Sequence, residues 1–334
     1  MAYTIKEVAA RAGVSKSTVS RVISNTGYTS QIAREKVLQV IEELQYKPNA
    51  VARAMVSQRT NNIGVIIYRE HHPIASHPFY GKILDSVLTA AGALDYSVFV
   101  TTDQEMSLRS ADYMLEKRVD GLILISRLRQ NVIDYIRNFK IPYIMVNGST
   151  EDQDVIHIVN QDEVGGQKAA EYLFKIGHRK IFIIAGPQEH RSHHMRFNSF
   201  RAYMEQQGNN IETSSIFYST ASTFEKGYQA MADSMENLMS HSYTAIFATN
   251  DMLALGAMKY LQERAVRIPE QMAIMGFDDI DFADMVTPSL TTIHVEKGQM
   301  GHESVMILDR LIKKQTVLPE RIEYEPRLVV RQST

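Results

Sequence analysis

Four polar residues near the start of the chain, Lys16, Ser17, Ser20 and Arg21, have the types and the spacing needed to recognise bases in DNA. In a helix they share one side, because positions i, i+1, i+4 and i+5 lie on the same face. Lys and Arg hydrogen-bond to the edge of guanine, and Ser can contact several bases. The pattern predicts a short basic helix that enters the major groove.

The surrounding residues predict the helices that hold this basic helix in place. Thr4 and Glu7 form a capping box at the start of a first helix, Gly13 ends it, and Ser15 begins the basic helix. A third helix follows Ser30. The apolar residues that should face a common core are Val19, Val22, Ile23, Val37, Val40, Ile41 and Leu44. This order of elements is typical of a helix-turn-helix domain.

Charge distinguishes this head from the rest of the chain. Residues 1–60 contain nine Lys and Arg against four Asp and Glu, whereas the remaining residues contain 27 against 34. A basic head on an acidic body fits a phosphate-binding module joined to a part that does not touch phosphate. The alternative is a small helical bundle with a solvated basic face. DNA binding is favoured by the combination of the capped helix, the glycine turn and the basic second helix.

Length and composition restrict the other possibilities. At 334 residues, of which 44% are hydrophobic, we expect two or three domains with a large core. The chain contains no cysteine, which excludes disulfides, cysteine metal sites and thiol nucleophiles. No basic-then-apolar leader precedes Thr4, and no run of about 18 apolar residues occurs, so we expect a cytoplasmic protein.

From residue 61 onward, apolar runs typical of strands alternate with segments of helix length. The runs lie at 63–67, 96–100, 121–125, 143–146, 155–159, 180–185, 245–248 and 273–277. Continuous apolar strands separated by helices predict parallel sheets that are covered on both faces. So many units exceed one sheet, and we therefore expect two α/β lobes. Ligands bind beyond the carboxyl ends of such strands, which predicts a cleft between the lobes.

The chain as a whole resembles the lac repressor family of bacterial transcription regulators. Four segments carry the resemblance: Val-Ser-Lys-Ser-Thr-Val-Ser-Arg-Val at 14–22, Tyr-Lys-Pro-Asn-Ala-Val-Ala-Arg at 46–53, Gly-Phe-Asp-Asp at 276–279 and Pro-Ser-Leu-Thr-Thr-Ile at 288–293. The resemblance implies an all-α helix-turn-helix head and an α/β, two-lobed, periplasmic-binding-protein-like effector domain. It also implies a homodimer that binds a pseudo-palindromic operator in double-stranded DNA.

We expect four parts in the chain on this basis. Residues 1–46 form the helix-turn-helix DNA-binding domain, and residues 47–60 form the hinge helix and linker. Residues 61–160 with 293–321 form the N-terminal effector lobe, here called the first lobe. Residues 161–292 with 322–331 form the C-terminal effector lobe, here called the second lobe.

The segment 47–60 resembles the hinge helix of the family. Pro48 fixes the start of a helix of barely two turns, which is marginal alone and should form only with a partner hinge and DNA. Met55 stands where the family usually has a leucine that wedges into the minor groove and kinks the duplex. A plain linker is the alternative. The residues expected to contact DNA are Thr4, Ser15, Lys16, Ser17, Thr18, Ser20, Arg21, Ser24, Asn25, Tyr28, Asn49, Ala52, Arg53 and Met55.

The resemblance further implies that Asn147, Arg196, Asn250 and Asp278 bind the effector in the cleft. Arginine donates hydrogen bonds, aspartate accepts them and asparagine does both, which is the mixture that the paired hydroxyls of a sugar require. The alternatives are that Asn250 only caps the following helix and that Asp278 only shapes a turn.

Histidines cluster in two segments, and we expect both in loops that border the cleft. The residues are His71, His72 and His77 in the first segment and His190, His193 and His194 in the second. Their spacing is irregular for a metal site, so we expect no metal and no cofactor. Solvated loop histidines are one interpretation; a cationic rim, with Arg191, that favours an anionic effector such as a sugar phosphate is the other.

The sequence thus predicts a sequence-specific DNA-binding regulator, a repressor of carbohydrate-utilisation genes that a small sugar-like effector releases from its operator. The alternative is a corepressor-dependent regulator that responds to a phosphorylated carrier protein or a sugar phosphate. An enzyme is not expected, because the chain has no Gly-rich phosphate loop, nucleophile elbow or paired-carboxylate motif. No leucine heptads follow residue 331, so a dimer is expected rather than a tetramer.

Overall fold

The computed structural model describes residues 3–24, 27–46, 59–68, 77–103, 108–126, 128, 130–148, 155–316 and 321–334. The chain divides into two compact units, Met1–Asn62 and Ile63–Thr334. Most of the segment 47–60 lies outside the described residues, so its hinge helix stays a prediction.

The first unit contains helices α1 at Ile5–Ala12, α2 at Lys16–Ser24 and α3 at Gln31–Glu43. The Glu7 carboxylate accepts from the Thr4 amide at 2.7 Å, which caps α1 and lowers the pKa of Glu7 below its ordinary value. Gly13 ends α1 in the left-handed region, with a φ of 67° that glycine adopts without strain. The Ser30 hydroxyl accepts from the amide of Ala33 at 3.4 Å and caps α3.

A compact apolar core holds these three helices together. Its buried members are Val8, Ala9, Ala12, Val19, Val22, Val37, Val40, Leu44 and Tyr46, and Ile23 and Ile41 pack against them partly buried. All the core residues predicted from helical spacing belong to this cluster. Because the valines of α2 face the core, the opposite, polar side of α2 faces solvent.

The first lobe of the second unit is built on a six-stranded sheet with the order β11-β5-β4-β3-β1-β2. Its strands are β1 at Asn62–Tyr68, β2 at Ser97–Asp103, β3 at Gly121–Ile125, β4 at Tyr143–Val146, β5 at Ile156–Asn160 and β11 at Arg321–Tyr324. The pairs β1–β3, β3–β4, β4–β5 and β5–β11 are parallel. Its helices are α4 at Tyr80–Ala93, α5 at Arg109–Glu116, α6 at Gln130–Asn138 and α12 at Lys297–Ile312.

The second lobe contains a four-stranded parallel sheet with the order β7-β6-β8-β9. Its strands are β6 at Ile181–Ala185, β7 at Ile216–Tyr218, β8 at Ala245–Ala248 and β9 at Ala273–Met275. Its helices are α7 at Asp162–Lys175, α8 at Arg191–Gln206, α9 at Phe224–His241, α10 at Asp251–Glu263 and α11 at Asp281–Met285, with a 3-10 turn at Thr213–Ser215. Helix α7 packs on α8, and α9 packs on α10.

The chain passes between the lobes three times. The first passage joins β5 to α7, the second runs through β10 at Thr292–His294 to α12, and the third joins β11 to β12 at Arg327–Val329. Strands β10 and β12 pair antiparallel, with Ile293 opposite Leu328. The second and third passages are therefore tied to each other where they leave the lobes.

The predicted boundary of the second lobe at residue 322 is too early. Strand β11 pairs in parallel with β5 of the first-lobe sheet, with Ile322 beside Ile158 and Tyr324 beside Asn160. The alternating apolar side chains of β11 pack on the first-lobe core, and Pro326 then separates β11 from β12. The chain therefore returns to the second lobe after Tyr324.

All eight predicted apolar runs contain a strand. The eight runs leave out β7, β10, β11 and β12, which have only three or four residues each and are too short for a periodicity to be recognised. None of the helices in the described part of the chain is long and apolar enough to cross a membrane.

Candidate functional site

The polar side of α2 is the candidate DNA-binding surface of the first unit. Lys16, Ser17 and Arg21 are exposed on it. The Ser15 hydroxyl accepts from the amide of Thr18 at 3.1 Å and lies 2.7 Å from the Ser17 hydroxyl and 2.9 Å from the Thr18 hydroxyl. Ser15 thus caps α2 as predicted, and the first-turn hydroxyls are held in a fixed arrangement at the exposed end of the helix.

Three further residues of the predicted DNA interface are described. Thr4 is exposed at the start of α1, Ser20 is half-buried in α2, and Tyr28 has 89% of its surface exposed. Tyr28 is therefore accessible to a partner, and its DNA contact stays a prediction. Outside the described residues lie the side chain of Ser24 and all of Asn25, Asn49, Ala52, Arg53 and Met55, whose DNA contacts stay predictions.

A cleft of about 690 Å³, including the solvent at its open mouth, lies in the second unit where the strands of its lobes end. All four predicted effector residues line it: Asn147, Arg196, Asn250 and Asp278. Asn147 follows β4 of the first lobe directly, whereas the other three belong to the second lobe.

Arg196 is the most strongly held side chain of the cleft. It is 3% exposed, its Nε donates to Asp162 at 2.8 Å, and its Nη1 donates to Asp278 at 2.8 Å and to the carbonyl of Thr249 at 3.0 Å. Its guanidinium lies 3.8 Å from the ring centre of Phe277. Burial alone would lower the pKa of Arg196, but attraction to Asp278 and Asp162 outweighs it and raises that pKa above its ordinary value. Arg196 is therefore a fixed cation.

Asp278 presents a carboxylate to the cleft from a strained backbone. Its φ is 114°, in the left-handed region that non-glycine residues rarely adopt, and such strain is common at ligand-binding positions. The main chain is held by the Asp278 amide, which donates to the carbonyl of Ile293 at 2.8 Å, and by Lys297, whose Nζ donates to the Asp278 carbonyl. Burial raises the pKa of Asp278, and the charge of Arg196 opposes that rise.

The two predicted asparagines differ in the hydrogen bonds that they make within the protein. The Asn250 side chain accepts from the amide of Leu253 at 3.0 Å and donates to the carbonyl of Ser222 at 3.1 Å, so it caps α10 while lining the cleft. Asn147 is half-buried with a φ of 52°, and its amide donates to the carbonyl of Ile158 at 2.9 Å. The capping role considered for Asn250 is therefore confirmed, and effector contacts by both asparagines stay predictions.

Glycines of α7 allow α8 to approach closely enough to place Arg196. A Cβ on Gly166 would lie 2.2 Å from the Ser199 hydroxyl and 2.3 Å from the Arg196 carbonyl. A Cβ on Gly165 would lie 2.4 Å from the Phe277 ring. Because neither Cβ exists, the Ser199 side chain fits between the helices and donates to the carbonyl of Met195 at 2.8 Å.

The histidine clusters are only partly as predicted. His77, His190 and His193 line the cleft, whereas His194 is exposed and pairs with Asn198 at 2.8 Å. His193 and His194 lie in α8 rather than in a loop, and His193 is 7% exposed, so the interpretation of solvated loop histidines is wrong for His193. Among the described residues, no group of three or more acidic or histidine side chains could hold a metal ion. His71 and His72 lie outside the described residues.

Three buried residues that do not line the cleft hold residues that do, and they were not predicted. Asp162 begins α7 and pairs with Arg196, Thr249 contacts both Arg196 and His193, and Lys297 begins α12 and holds the Asp278 carbonyl. Asp162 follows the carboxyl end of β5, the same signal that identified Asn147, and could have been found in that way. Lys297 and Thr249 act through contacts that only the folded chain creates.

Two family models match the chain. The model for bacterial regulatory proteins of the lacI family matches residues 4–49, and the model for a periplasmic binding protein-like domain matches residues 170–334. The first segment covers the helical head and the start of the predicted hinge, and the second covers most of the second lobe together with α12 and β11 of the first lobe.

Curated relatives and solved structures match over nearly the whole chain. The ribose operon repressor of Escherichia coli K12 is 32% identical over 337 residues, with 99% of each chain covered. The HTH-type transcriptional repressor PurR of Haemophilus influenzae Rd is 34% identical, with 99% of this chain and 98% of the relative covered. The structure of the lac repressor dimer bound to operator and the anti-inducer ONPF is 26% identical, covers 100% of this chain and 99% of that chain, and has a TM-score of 0.85.

Proposed function

The chain belongs to the lacI family of bacterial regulatory proteins, and from this premise we propose that it represses transcription until a neutral sugar enters its cleft. It is a DNA-binding transcriptional regulator, as its relatives are. Its relatives are repressors, and we assign no catalytic role to its residues. Since a transcriptional repressor works on the chromosome, its site of action is the cytoplasm.

Recognition of the operator is assigned to α2. Support comes from the exposure of Lys16, Ser17 and Arg21 on a helix that its buried valines fix in one orientation. Arg21 is the base reader in this proposal, because its guanidinium can donate two hydrogen bonds to one guanine. Lys16 contributes to base or phosphate contacts at the same surface.

The observation that carries the effector class is the Arg196–Asp278 pair. Within the described residues, hydrogen bonds engage the Nε and Nη1 of Arg196 and the Oδ1 of Asp278. The Arg196 Nη2 and the Asp278 Oδ2 then remain for a ligand, and they place a donor beside an acceptor on the cleft floor. Two adjacent hydroxyls match this arrangement, since each hydroxyl both donates and accepts.

Charge favours a neutral effector over a sugar phosphate. Arg196 already faces two buried carboxylates, Asp162 and Asp278, so its positive charge is matched before an effector binds. An added phosphate would meet the Asp278 carboxylate, and the described cations beside it, Arg196 and Lys297, are already engaged by Asp162, Asp278 and main-chain carbonyls. Both Arg191 and Glu189 line the cleft, so a negative charge accompanies the positive charge of Arg191 there.

The effector acts by shifting the population between two arrangements of the lobes. Three chain passages connect the lobes and allow them to close on a ligand. One arrangement binds the operator and the other does not. A sugar with higher affinity for the second arrangement releases the repressor from DNA. The size of the shift is limited by the difference between the sugar's affinities for the two arrangements. Induction rather than corepression is proposed, by analogy with the sugar-responsive members of the family.

The regulator acts as a homodimer on a pseudo-palindromic operator. Large apolar side chains are exposed on both lobes, including Phe282 and Met285 of α11 at 49% and 73%, and Leu88 of α4 at 43%. A second copy that covers such surfaces places two heads on one duplex. The structure of the lac repressor dimer on its operator supports this assembly.

Two measurements on the full chain test the proposed function. Selection from random duplexes should return an inverted repeat, and thermal-shift screening should identify a neutral sugar that raises the melting temperature, because a ligand that binds the folded state stabilises it. The panel contains D-ribose, D-galactose, D-glucose, D-xylose, D-ribose 5-phosphate and hypoxanthine. A response to the phosphate or to the purine alone would contradict the neutral-sugar assignment, and the absence of any selected repeat would contradict operator binding.

A further inference from the structure

His193 occupies a position in the cleft that the proposed function does not yet use. Its ring is 7% exposed but lines the cleft beside Arg196. A Cβ on Gly186 would lie 2.4 to 2.6 Å from atoms of the ring, so the absence of a side chain at Gly186 gives the ring its space. The ring is therefore packed in one place, with one edge toward the main chain and the other toward the cleft.

The hydrogen bonds of Thr249 determine which nitrogen of His193 carries the proton. The Thr249 hydroxyl accepts from the Gly186 amide at 2.8 Å and lies 2.8 Å from the His193 Nδ1. A threonine hydroxyl has a single proton, and in the described part of the chain the His193 Nδ1 is the acceptor that takes it. On this ground we assign Nδ1 as the acceptor and the ring proton to Nε2.

The same surroundings keep the ring neutral. Burial lowers the pKa of His193 well below its ordinary value, and the positive charge of Arg196 and the neighbouring His190 lower it further. A neutral ring with its proton on Nε2 is a hydrogen-bond donor and no longer an acceptor at that edge. Thr249 also accepts from the Arg196 Nη1 through its carbonyl at 3.0 Å, so one residue holds both cleft donors.

We propose that His193 is a specificity-determining residue, which donates from Nε2 to one oxygen atom of the sugar next to the oxygens bound by Arg196 and Asp278. This inference rests on the proposed function, because it assigns one further contact within the same site. The oxygen must act as an acceptor, so a hydroxyl or a ring oxygen satisfies it. An ammonium group at the same carbon does not, because it has no acceptor, and the site then discriminates a sugar from its amino analogue.

Calorimetric titration of the full-length protein with the panel sugar that raises its melting temperature most provides the test. His193→Leu should weaken the affinity about tenfold or more, because it removes the donor and leaves a sugar oxygen unpaired. His193→Gln, which restores a donor at similar reach, should recover most of the loss. His194→Leu is the matched control, since His194 is the exposed neighbour outside the cleft, and it should bind like the native protein.

A set of mono-deoxy and amino analogues of that sugar separates a direct contact from a structural effect. Removal of the oxygen that His193 binds should weaken binding by the native protein about tenfold but should have little further effect on His193→Leu. Equal losses in both proteins for every analogue, or native affinity in His193→Leu, would overturn the assignment of His193 alone. If no sugar of the panel stabilises the native protein, the proposed function itself is contradicted and this inference with it.

Discussion

The ammonium group of Lys297 donates a hydrogen bond to the main-chain oxygen of Asp278. Lys297 begins α12, which packs on α4, β3 and β4 of the first lobe, whereas Asp278 lies in the second lobe and turns its carboxylate into the cleft. Lys297 also donates to the carbonyls of Asp279 at 3.0 Å and Val295 at 3.2 Å, and it is 5% exposed. We therefore expect a movement of Asp278 toward an effector to be transmitted to a first-lobe helix through this hydrogen bond.

Replacement of Lys297 should weaken the coupling between sugar binding and operator binding. Lys297→Met keeps the length of the side chain but removes its three donors, so the sugar should release less operator at saturation. Fluorescence anisotropy of a labelled operator, with and without saturating sugar, measures the ratio of the two affinities. Lys313→Met is the control at the other end of α12, where the lysine pairs with Asp309 at 2.8 Å and is 43% exposed. Native coupling in Lys297→Met would rule out this route.

Loss of the cleft arginine should abolish the sugar response. Arg196→Ala leaves the carboxylates of Asp162 and Asp278 buried without their partner, which should destabilise the second unit by about 3–5 kcal/mol and remove sugar binding. Calorimetric titration measures the second effect and thermal unfolding the first. Arg201→Ala, on the exposed side of α8 with a pairing to Glu205 at 3.4 Å, should lose less than about 1 kcal/mol. Undiminished sugar affinity in Arg196→Ala would place the effector elsewhere.

A single arginine of α2 should carry much of the operator selectivity. Arg21→Ala should reduce specific affinity by about 1–3 kcal/mol while retaining part of the salt-dependent binding to unrelated DNA, because only the base contact is lost. Titrations of the operator and of unrelated DNA at several salt concentrations distinguish the loss of base recognition from the loss of phosphate attraction. Arg11→Ala removes one equal charge from α1 and should lower both affinities alike. The base-reading role fails if Arg21→Ala also lowers them alike.

A buried carboxyl group should make the stability of the second unit depend on pH. Burial raises the pKa of Asp251 to about 8, and the nearby charge of Asp278 adds to this. The unfolded residue ionises near the ordinary pKa of 3.8, so the folded state binds the extra proton between about pH 4 and 8. Stability from this group is therefore present at low pH and is lost as the pH rises through that window.

The matched variant for this effect is Asp251→Asn. The Asp251 carboxyl accepts from the Thr292 hydroxyl at 2.6 Å and from the Ile280 amide at 2.9 Å, and an amide can bond to both groups without titrating. Between pH 6.5 and 8, the unfolding free energy of the native protein should fall more steeply than that of the variant, by about 1 kcal/mol per pH unit. Denaturant titrations at each pH measure this difference, and parallel curves would show that Asp251 is ionised when folded.

The sequence predicted the parts of this molecule that local pattern controls. The caps at Thr4, Ser15 and Ser30 follow from residue type and spacing, and the apolar runs locate the longer strands because buried parallel strands are apolar throughout. Arg196 and Asp278 could be placed in the cleft because the family resemblance assigns them there, and Asp278 also follows the end of a strand.

The remainder depends on contacts between distant segments. Lys297 lies in an ordinary amphipathic helix. It donates to the Asp278 carbonyl only because the folded chain places the start of α12 against the loop at Asp278. His193 was interpreted as part of a polar loop, because nothing in the sequence shows that Gly186 leaves room for its ring or that Thr249 sets its proton. Strand β11 was assigned to the wrong lobe, because a four-residue strand carries no signal of which sheet it joins.

The central claim is that the binding of sugar weakens the affinity of the protein for the operator, and the binding of operator weakens its affinity for the sugar. Reciprocal titration tests this claim most directly. The dissociation constant of the operator is measured without and with saturating sugar, and that of the sugar without and with saturating operator. Thermodynamic linkage requires both to weaken by the same factor, which we expect to be roughly 5- to 150-fold. A sugar that stabilises the protein but has the same affinity with and without operator would contradict the account.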